Sequence, residues 1–250
     1  MNGSLTIIGL GPANPEHLSL EAMTAIQRAS TQDHFYGLAH AREIIQHVRP
    51  NLKVKSLDYL YGIAGVDRSK AYLDLAQMMI DKAFVDGLSV FYCVAGSPLF
   101  YNDAVWLVRK ICSQKSYPLR LIHGMSFVEL VLQNVFWTGH RGLQLYSTWN
   151  IARDNIALNP EVPALLCQLG EFSAGGEALQ TAKSTAILQQ LRTTLQQVYP
   201  QAHPVTILYS SGPPNYNSLS TEIPLSELGN QPVPVYSNLW VPPVGGDNAR

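Results

Sequence analysis

The residues from Ser4 to Met23 read SLTIIGLGPANPEHLSLEAM and join a strand pattern to a helix pattern through a glycine- and proline-rich loop. The apolar run SLTIIG predicts a buried strand that ends at Gly9. Helical spacing follows from Leu20 to Ala29, with Ser19 as the predicted N-cap and Glu21 in the first turn. A buried strand followed closely by a helix predicts an α/β fold.

The alternation of strands and helices continues along the chain. Further strands are predicted at LKVKSL (52–57), LSVFYCV (88–94), PALLCQL (163–169) and HPVTILYS (203–210). Helices are predicted over 67–84, 103–113 and 176–198, with another from about Ser126. The final VPVYSNLWVPP (233–243) is typical of an edge strand stopped by two prolines. This pattern predicts two α/β domains, residues 1–117 and 118–250, each with its own sheet of mostly parallel or mixed strands flanked by helices.

Charge is sparse and balanced in this chain. The net charge is −1, so no basic field indicates nucleic acid as a partner. Charged residues make up 14% of the sequence, against roughly 25% in an average globular protein. A surface with so few charges favours a buried interface between subunits.

The cysteine count and the apolar runs indicate the compartment. Cys93, Cys112 and Cys167 are odd in number and lack metal-type spacing, which favours a reduced, cytoplasmic protein. The N-terminus has no basic region before a long apolar run, so no signal peptide is predicted. No apolar run reaches the roughly 18 residues of a membrane span. Seven histidines form no zinc-binding motif, and no metal is predicted.

Three loops are candidates for binding a ligand, and each also has a purely structural interpretation. In GLGP, glycines permit either close backbone approach to a ligand or a tight turn, but Asn14 breaks the dinucleotide pattern G-x-G-x-x-G. AGSPLF (95–100) follows a strand, where open α/β sheets bind ligands, yet it also suits a rigid turn. In HGMSFVE, Ser126 and Glu129 have the spacing of a capping box.

A fourth segment, YLYGIAGVDRSKAY from Tyr59 to Tyr72, combines tyrosines with one arginine. Arg68 and Tyr72 are four residues apart and share a helix face. A guanidinium beside a phenol lowers the phenol pKa from its usual value of about 10, which favours a base. The alternative is an aromatic cluster with an arginine stem packed along it.

In order and spacing, GLGPANPEHLSLEAM, AGSPLF and GMS resemble the motifs of the tetrapyrrole (corrin/porphyrin) methylase superfamily, over essentially the whole chain. The resemblance implies a homodimer of two-domain subunits that bind S-adenosylmethionine in the cleft between the domains and release S-adenosylhomocysteine. The cofactor is expected against the AGSPLF loop. Ser97 stands where the family often has Asp, a change that backbone contacts to the cofactor tolerate.

The tyrosine-rich segment also looks like that of one subgroup, the borosin α-N-methyltransferases, which methylate backbone amides of a precursor peptide. This resemblance implies catalytic roles for Tyr59, Arg68, Tyr72 and Tyr92. Tyr92 would replace a family tyrosine that aligns with Val94, and Tyr61 one that aligns with Gly62. The cofactor-binding residues implied are Pro12, Gly96, Leu99, Phe127, Gln168, Ser210, Ser237 and Asn238.

The expected reaction is methyl transfer to a backbone amide, with Tyr72 or Tyr59 as general base and Arg68 lowering its pKa and stabilising the developing oxyanion. The chain ends at Arg250, ten residues after Trp240, and VGGDNAR is too short and polar to hold a core peptide. A split enzyme acting on a separate precursor peptide is therefore expected. The alternatives are a tetrapyrrole C-methyltransferase of cobalamin or sirohaem synthesis and a non-catalytic peptide-binding module.

Overall fold

A computed structural model describes residues 3–12, 14–61, 68–135, 137, 139–140, 142–154, 156–170, 185–210, 218–231, 233–234 and 236–245. For residues 39, 61, 68, 185–187, 210 and 218 only the backbone is described. The predictions that concern Gly62 and the side chains of Tyr61, Arg68 and Ser210 therefore lie outside the described residues.

The first compact unit extends to Glu129 and the second begins at Leu130. The sequence placed this division between residues 117 and 118. The unit extends further because residues 119–122 form a strand that hydrogen-bonds to the first strand of the chain, so they belong to the first sheet.

The first sheet is parallel and has five strands in the order β3-β2-β4-β1-β5. Its strands are β1 (Ser4–Gly9), β2 (His34–Gly37), β3 (Val54–Ser56), β4 (Ser89–Val94) and β5 (Leu119–Ile122). The helices are α1 (Leu20–Arg28), α2 (Ala39–Val48), α3 (Asp58–Tyr61), α4 (Arg68–Ile80), α5 (Asp103–Lys115) and α6 (Phe127–Leu132). A 3-10 turn (Pro15–His17) precedes α1, and a π-helical turn (Asp81–Val85) extends α4.

Local sequence explains most of these elements. All of β1 after Ser4 is buried, as a strand covered on both faces requires. The backbone N–H of Ala22 donates to Ser19 Oγ at 3.1 Å, which confirms the predicted N-cap of α1. Asn102 caps α5 in the same way, because Val105 N–H donates to its Oδ1 at 3.1 Å. The sequence analysis predicted neither β2, which has only four residues, nor α2.

The second sheet is mixed and has the order β6-β7-β10-β8-β9. Its strands are β6 (Gln144–Ser147), β7 (Ala164–Cys167), β8 (Pro204–Ser210), β9 (Ser218–Pro224) and β10 (Ser237–Val241). The helices described in this unit are α7 (Thr148–Asp154) and α8 (Thr185–Leu195). The β6–β7 pair is parallel, whereas β10 is antiparallel to both β7 and β8.

The expectation that the C-terminal strand lies at an edge was wrong. β10 is the central strand of its sheet, and every one of its residues is buried. Pro242 and Pro243 follow its last residue, so they end the strand without interrupting its hydrogen bonds. The edge strands of this sheet are β6 and β9, and the first three residues of β9 lie in the polar stretch SSGPPNYNSLS (210–220), which the sequence predicts to be a loop.

The predicted fold class is confirmed, with two sheets flanked by helices and one sheet in each unit. No helix in the described part of the chain is long and apolar enough to cross a membrane.

Candidate functional site

Three loops meet at one end of the first sheet. They follow the C-terminal ends of the neighbouring inner strands β1 and β4 and of the edge strand β5. The N–H of Gly96 donates to the carbonyl of Gly11 at 2.7 Å, which joins the first loop to the second. A Cβ on Gly124 would lie 2.4 Å from the Gly96 carbonyl oxygen, so the third loop touches the second backbone to backbone. The tertiary structure thus brings together the three loops that the sequence singled out.

Gly96, like Gly11 in the same loop cluster, has a backbone conformation that favours glycine. Its φ is +68°, in the left-handed region that other residues avoid. Among the described residues, a Cβ built on it would meet a single atom within 4 Å, the carbonyl oxygen of Met125 at 3.9 Å. The space above this backbone is therefore open, as a loop that lies against a ligand requires.

The Ser97 hydroxyl holds the turn that follows. It accepts a hydrogen bond from the N–H of Leu99 at 3.3 Å. Leu99, a predicted cofactor ligand, is 47% exposed. A serine therefore stabilises this turn where the family often has Asp, which accounts for the departure seen in the sequence.

Phe127 connects the second loop to the start of α6. Its ring lies 5.7 Å from that of Phe100 and 6.5 Å from that of Tyr101, measured between centroids. Ser126 accepts a hydrogen bond from the N–H of Val128 at 3.2 Å, which supports a capping role for this residue. Phe127 thus shares an aromatic cluster with the loop that contains Leu99.

The tyrosines of the predicted catalytic set occupy different environments. Tyr92 on β4 is 4% exposed and belongs to the core cluster beneath α4, and Tyr72 on α4 is half-buried against that cluster. Tyr59 is 58% exposed, and its hydroxyl donates to Met78 Sδ at 3.6 Å. Arg68 is the first residue of α4. Tyr72 and Tyr92 are therefore associated through one cluster, and Tyr59 lies on the flank of α4.

In the second unit, the end of β7 lies beside the start of β10. The N–H of Gln168 donates to Asn238 Oδ1 at 3.1 Å, and Ser147 Oγ donates to Gln168 Oε1 at 3.0 Å. Gln168 has a φ of +63°, which is uncommon for a residue with a side chain. The predicted ligands Gln168 and Asn238 are thus in contact, and the sequence did not identify Ser147 as their neighbour.

Ser237, beside Asn238 on β10, has a polar atom that lacks a partner. It is 1% exposed, and its Oγ has no hydrogen-bond partner among the described residues. A buried polar group left unpaired costs about 1–3 kcal/mol, so such groups usually bind a water or a ligand. Ser210 ends β8, one residue beyond the Tyr209–Ser237 pair, and only its backbone is described.

Pro12 and His17 belong to the first loop and the turn that follows it. Pro12 is half-buried. His17 packs closely against Gly11, because a Cβ built on Gly11 would lie 2.7 Å from the Cβ of His17. The Nδ1 atom of His17 is buried without a hydrogen-bond partner among the described residues, as is Nε2 of His40 on α2. The sequence analysis assigned no role to either imidazole. His40 was overlooked because β2, the strand that precedes it, was not predicted.

The cysteines lie outside these groups. All three are buried. Burial raises the pKa of Cys93 well above its usual range and that of Cys112 to about 11, so both are neutral thiols at pH 7. Among the residues that the structure describes, no three His, Cys, Asp or Glu side chains form a group able to hold a metal ion.

Comparison with solved structures gives the fold. Uroporphyrin-III C-methyltransferase from Thermus thermophilus, complexed with S-adenyl homocysteine, has a TM-score of 0.62 and 14% identity over 96% of this chain and 97% of that chain. The fold is therefore that of a two-sheet methyltransferase. The chain belongs to the family of tetrapyrrole (corrin/porphyrin) methylases, whose profile matches residues 4–225. The resemblance inferred from the sequence is confirmed at the level of the superfamily.

Two curated relatives differ in what their names describe. One is a methyltransferase/ribosomally synthesized type I borosin cyclic peptide precursor of Serendipita vermifera subsp. bescii, 25% identical over 77% of this chain and 47% of that protein. The other is a uroporphyrinogen-III C-methyltransferase of Cyanidium caldarium, 28% identical over 48% of this chain and 45% of that protein. The chain spans about half the length of these relatives.

Proposed function

We propose that the chain transfers a methyl group from S-adenosylmethionine to backbone amide nitrogens of a precursor peptide. One observation carries the peptide part of this proposal. The helix α4, which begins at Arg68 and contains Tyr72, packs on the same core cluster as Tyr92 of β4, and β4 leads directly into the loop at Gly96. This connection supports roles for Tyr72 as a base and Arg68 as a cation in methyl transfer from a donor bound at the loop cluster.

Family membership and two features of the structure support S-adenosylmethionine as the donor. The family is one of methylases, and a structural neighbour contains S-adenyl homocysteine. The open space above Gly96 fits a ligand that lies against bare backbone. The unpartnered Oγ of Ser237 fits a polar group of such a ligand. When bound, the cofactor supplies a methyl group activated on a sulfonium sulfur.

The proposed cofactor contacts fall into two groups, which are tested separately. In the first unit they are Pro12, Gly96, Leu99 and Phe127. In the second unit they are Gln168, Ser210, Ser237 and Asn238. Within the second group, Gln168 and Asn238 orient each other through the hydrogen bond between the Gln168 N–H and Asn238 Oδ1 at 3.1 Å.

The chain must activate a poor nucleophile. The lone pair of an amide nitrogen is delocalised into its carbonyl, so the N–H proton has to be removed as the new bond forms. We favour Tyr72 as this base, because it lies half-buried on α4 four residues after Arg68, and Tyr59, which is exposed and hydrogen-bonded to Met78 Sδ, is the alternative. Arg68, four residues earlier on α4, stabilises the phenolate and the negative charge on the acceptor oxygen. Tyr92 belongs to the core cluster against which Tyr72 packs.

A tetrapyrrole C-methyltransferase is the second candidate. The likeness to the uroporphyrinogen-III C-methyltransferase of Cyanidium caldarium supports it, and so does the fold of the Thermus thermophilus enzyme. Such an enzyme methylates carbon atoms of a macrocycle. It therefore has no need of a base that deprotonates an amide.

We further propose a cytoplasmic homodimer. Charged residues make up only 14% of the chain, and the large apolar side chains of Leu73 and Trp106 are 49% and 54% exposed. Three buried cysteines, an odd number, agree with a reducing compartment. Sedimentation equilibrium of the purified chain gives the subunit number directly.

Mass spectrometry after co-expression tests the acceptor. The chain is produced with each short peptide encoded beside its gene, and separately incubated with S-adenosylmethionine and uroporphyrinogen III. We expect the peptide to gain mass in steps of one methyl group, with tandem spectra assigning the methyl groups to backbone nitrogens. Methylation of the macrocycle with an unmodified peptide would favour the second candidate. Cofactor binding without any transfer would indicate a binding module.

A further inference from the structure

The side chain of Gln168 is held by a serine on the neighbouring strand. Ser147 is the last residue of β6 and lies opposite Cys167, the last residue of β7. Gln168 follows directly, and its Oε1 accepts a hydrogen bond from Ser147 Oγ at 3.0 Å. This side-chain hydrogen bond therefore joins the ends of two parallel strands.

The main chain on both sides of this hydrogen bond is fixed. Thr148, the residue after Ser147, is fully buried, and its hydroxyl donates to the carbonyl of Cys167 at 2.8 Å. The φ of Gln168 is +63°, a left-handed conformation that is strained for a residue with a Cβ. Strain of this kind persists where the surroundings enforce it, and it is concentrated at ligand sites. What remains free is the rotation of the Gln168 amide.

The amide of Asn238 has a defined orientation. Its Oδ1 accepts from the main-chain N–H of Gln168 at 3.1 Å. Because a main-chain N–H can only donate, the oxygen of Asn238 must be the atom that faces it. The NH2 group of Asn238 is therefore the end that is left for a ligand.

The Ser147 hydroxyl orients the Gln168 amide in the same sense. By donating to Oε1 it occupies the carbonyl oxygen, and the two N–H groups of Nε2 stay available. Ser237, next to Asn238, adds a hydroxyl that is 1% exposed and has no hydrogen-bond partner in the described part of the chain. A buried, unpaired hydroxyl beside two oriented amides indicates a ligand with hydrogen-bond acceptors.

We propose that Ser147 is a positioning residue for S-adenosylmethionine, which it serves by holding the Gln168 amide with its NH2 group toward the bound cofactor. The NH2 groups of Gln168 and Asn238 then donate to acceptors of the cofactor, which are its carboxylate oxygens, ribose oxygens and adenine ring nitrogens. Without the Ser147 hydroxyl, the Gln168 amide can turn over and present an oxygen that repels these acceptors. This inference rests on the proposed function for the location of the cofactor, and not on which acceptor is methylated.

Calorimetry with S-adenosylhomocysteine, which cannot react, tests the role of Ser147 in the full chain. We expect Ser147→Ala to lower affinity about tenfold, the equivalent of one hydrogen bond. Ser147→Thr keeps the hydroxyl and should keep the affinity. Thr148→Val is the matched control, because it removes the adjacent buried hydroxyl, which bonds to Cys167 and not to Gln168. An equal loss of affinity in Thr148→Val and Ser147→Ala would make the effect structural and overturn the inference.

Gln168→Glu tests the orientation of the amide. The carboxylate still accepts from Ser147 Oγ, but its second oxygen replaces the NH2 group. We expect affinity for S-adenosylhomocysteine to fall by about 10²-fold, because a charged acceptor then faces the acceptors of the ligand. Unchanged or higher affinity would mean that the ligand presents donors there, contrary to the proposal.

NMR gives a second readout that needs no activity. The side-chain NH2 signals of Gln168, assigned by their loss in Gln168→Glu, should shift when S-adenosylhomocysteine is added to the wild type. Signals that stay in place at saturation would exclude the contact. Titration with 5′-methylthioadenosine, which lacks the amino acid portion, locates the acceptor. If Ser147→Ala weakens both ligands equally, the acceptor is in the nucleoside, and if it weakens S-adenosylhomocysteine alone, the acceptor is the carboxylate.

The inference and the proposed function fail in different ways. If the wild type methylates the peptide while Ser147→Ala and Gln168→Glu bind S-adenosylhomocysteine as the wild type does, the inference is wrong and the proposed function stands. If affinities change as expected but every peptide stays unmodified, the inference stands and the peptide acceptor is wrong. A wild type that does not bind S-adenosylhomocysteine would overturn both.

Discussion

The backbone N–H of Gly96 donates to the carbonyl oxygen of Gly11 at 2.7 Å. This hydrogen bond joins two loops that are more than 80 residues apart in the chain. It fixes Gly96 in a left-handed conformation beneath open space. The same contact places the end of β1 beside the loop that follows β4, and it defines the floor of the proposed cofactor site.

Gly96→Ala tests this floor. We expect a loss of about 1–2 kcal/mol in the free energy of unfolding, because a left-handed conformation is strained for alanine. Affinity for S-adenosylmethionine, measured by calorimetry, should fall as well. Gly87→Ala is the matched control, with a φ of +70° and no atom of the described residues within 4 Å of the added Cβ. It should lose similar stability and keep its affinity, and equal affinities in the two variants would contradict the assignment.

Ser237→Ala separates binding from stability. The Ser237 Oγ is buried without a partner among the described residues, so its removal should leave unliganded stability unchanged or slightly higher. Cofactor affinity should fall by about tenfold, the equivalent of one hydrogen bond. Thr148→Val is the contrast, because its hydroxyl donates to the carbonyl of Cys167 at 2.8 Å and its loss destabilises the free protein. A Ser237→Ala protein with unchanged affinity would exclude this contact.

Tyr72→Phe removes the proposed base without changing packing. We expect transfer to the peptide to slow by about 10² or more, the usual contribution of a general base, with cofactor affinity intact. Tyr36→Phe is the control, since Tyr36 is buried in the same core cluster and has no proposed role. Rates are followed by mass spectrometry of the peptide. Retained activity in Tyr72→Phe would shift the role to Tyr59.

Because β10 is the central strand of its sheet, shortening one of its side chains should strongly lower the free energy of unfolding. Leu239 is fully buried between neighbouring strands, so Leu239→Ala should cost about 2–5 kcal/mol in denaturant unfolding. Leu219 lies on the edge strand β9 and is 60% exposed. Its truncation to alanine should change stability by less than about 0.5 kcal/mol. Similar losses for the two variants would be inconsistent with the strand order.

The thiols should be inert in the folded protein. Burial raises the pKa of Cys112 to about 11 and that of Cys93 further, so the reactive thiolate is scarce at pH 8. Ellman's reagent should react slowly with native protein and with all three cysteines once the chain is unfolded. Rapid native labelling of Cys93 would show that β4 opens readily.

Part of the proposed site was visible in the sequence because its loops have strong local signals. Gly9 to Pro12, Ala95 to Leu99 and the residues around Ser126 each follow an apolar strand, and the predicted caps at Ser19 and Ser126 are present. The contact of Ser147 with Gln168 was not visible, because it joins two strand ends that become neighbours only in the folded chain. The orphaned hydroxyl of Ser237 could not be predicted either, since a missing partner is a property of packing.

The sequence alone determined the α/β class, most of the strands and helices, the methylase family and the loops that end the strands, because apolar periodicity, capping residues and glycine are local signals. Only the tertiary structure decided that β10 is central, that β5 belongs to the first sheet and that Gln168 contacts Asn238. Strand order and contacts between distant residues depend on which apolar faces pack together and which hydrogen bonds they permit, and these are set by the whole chain.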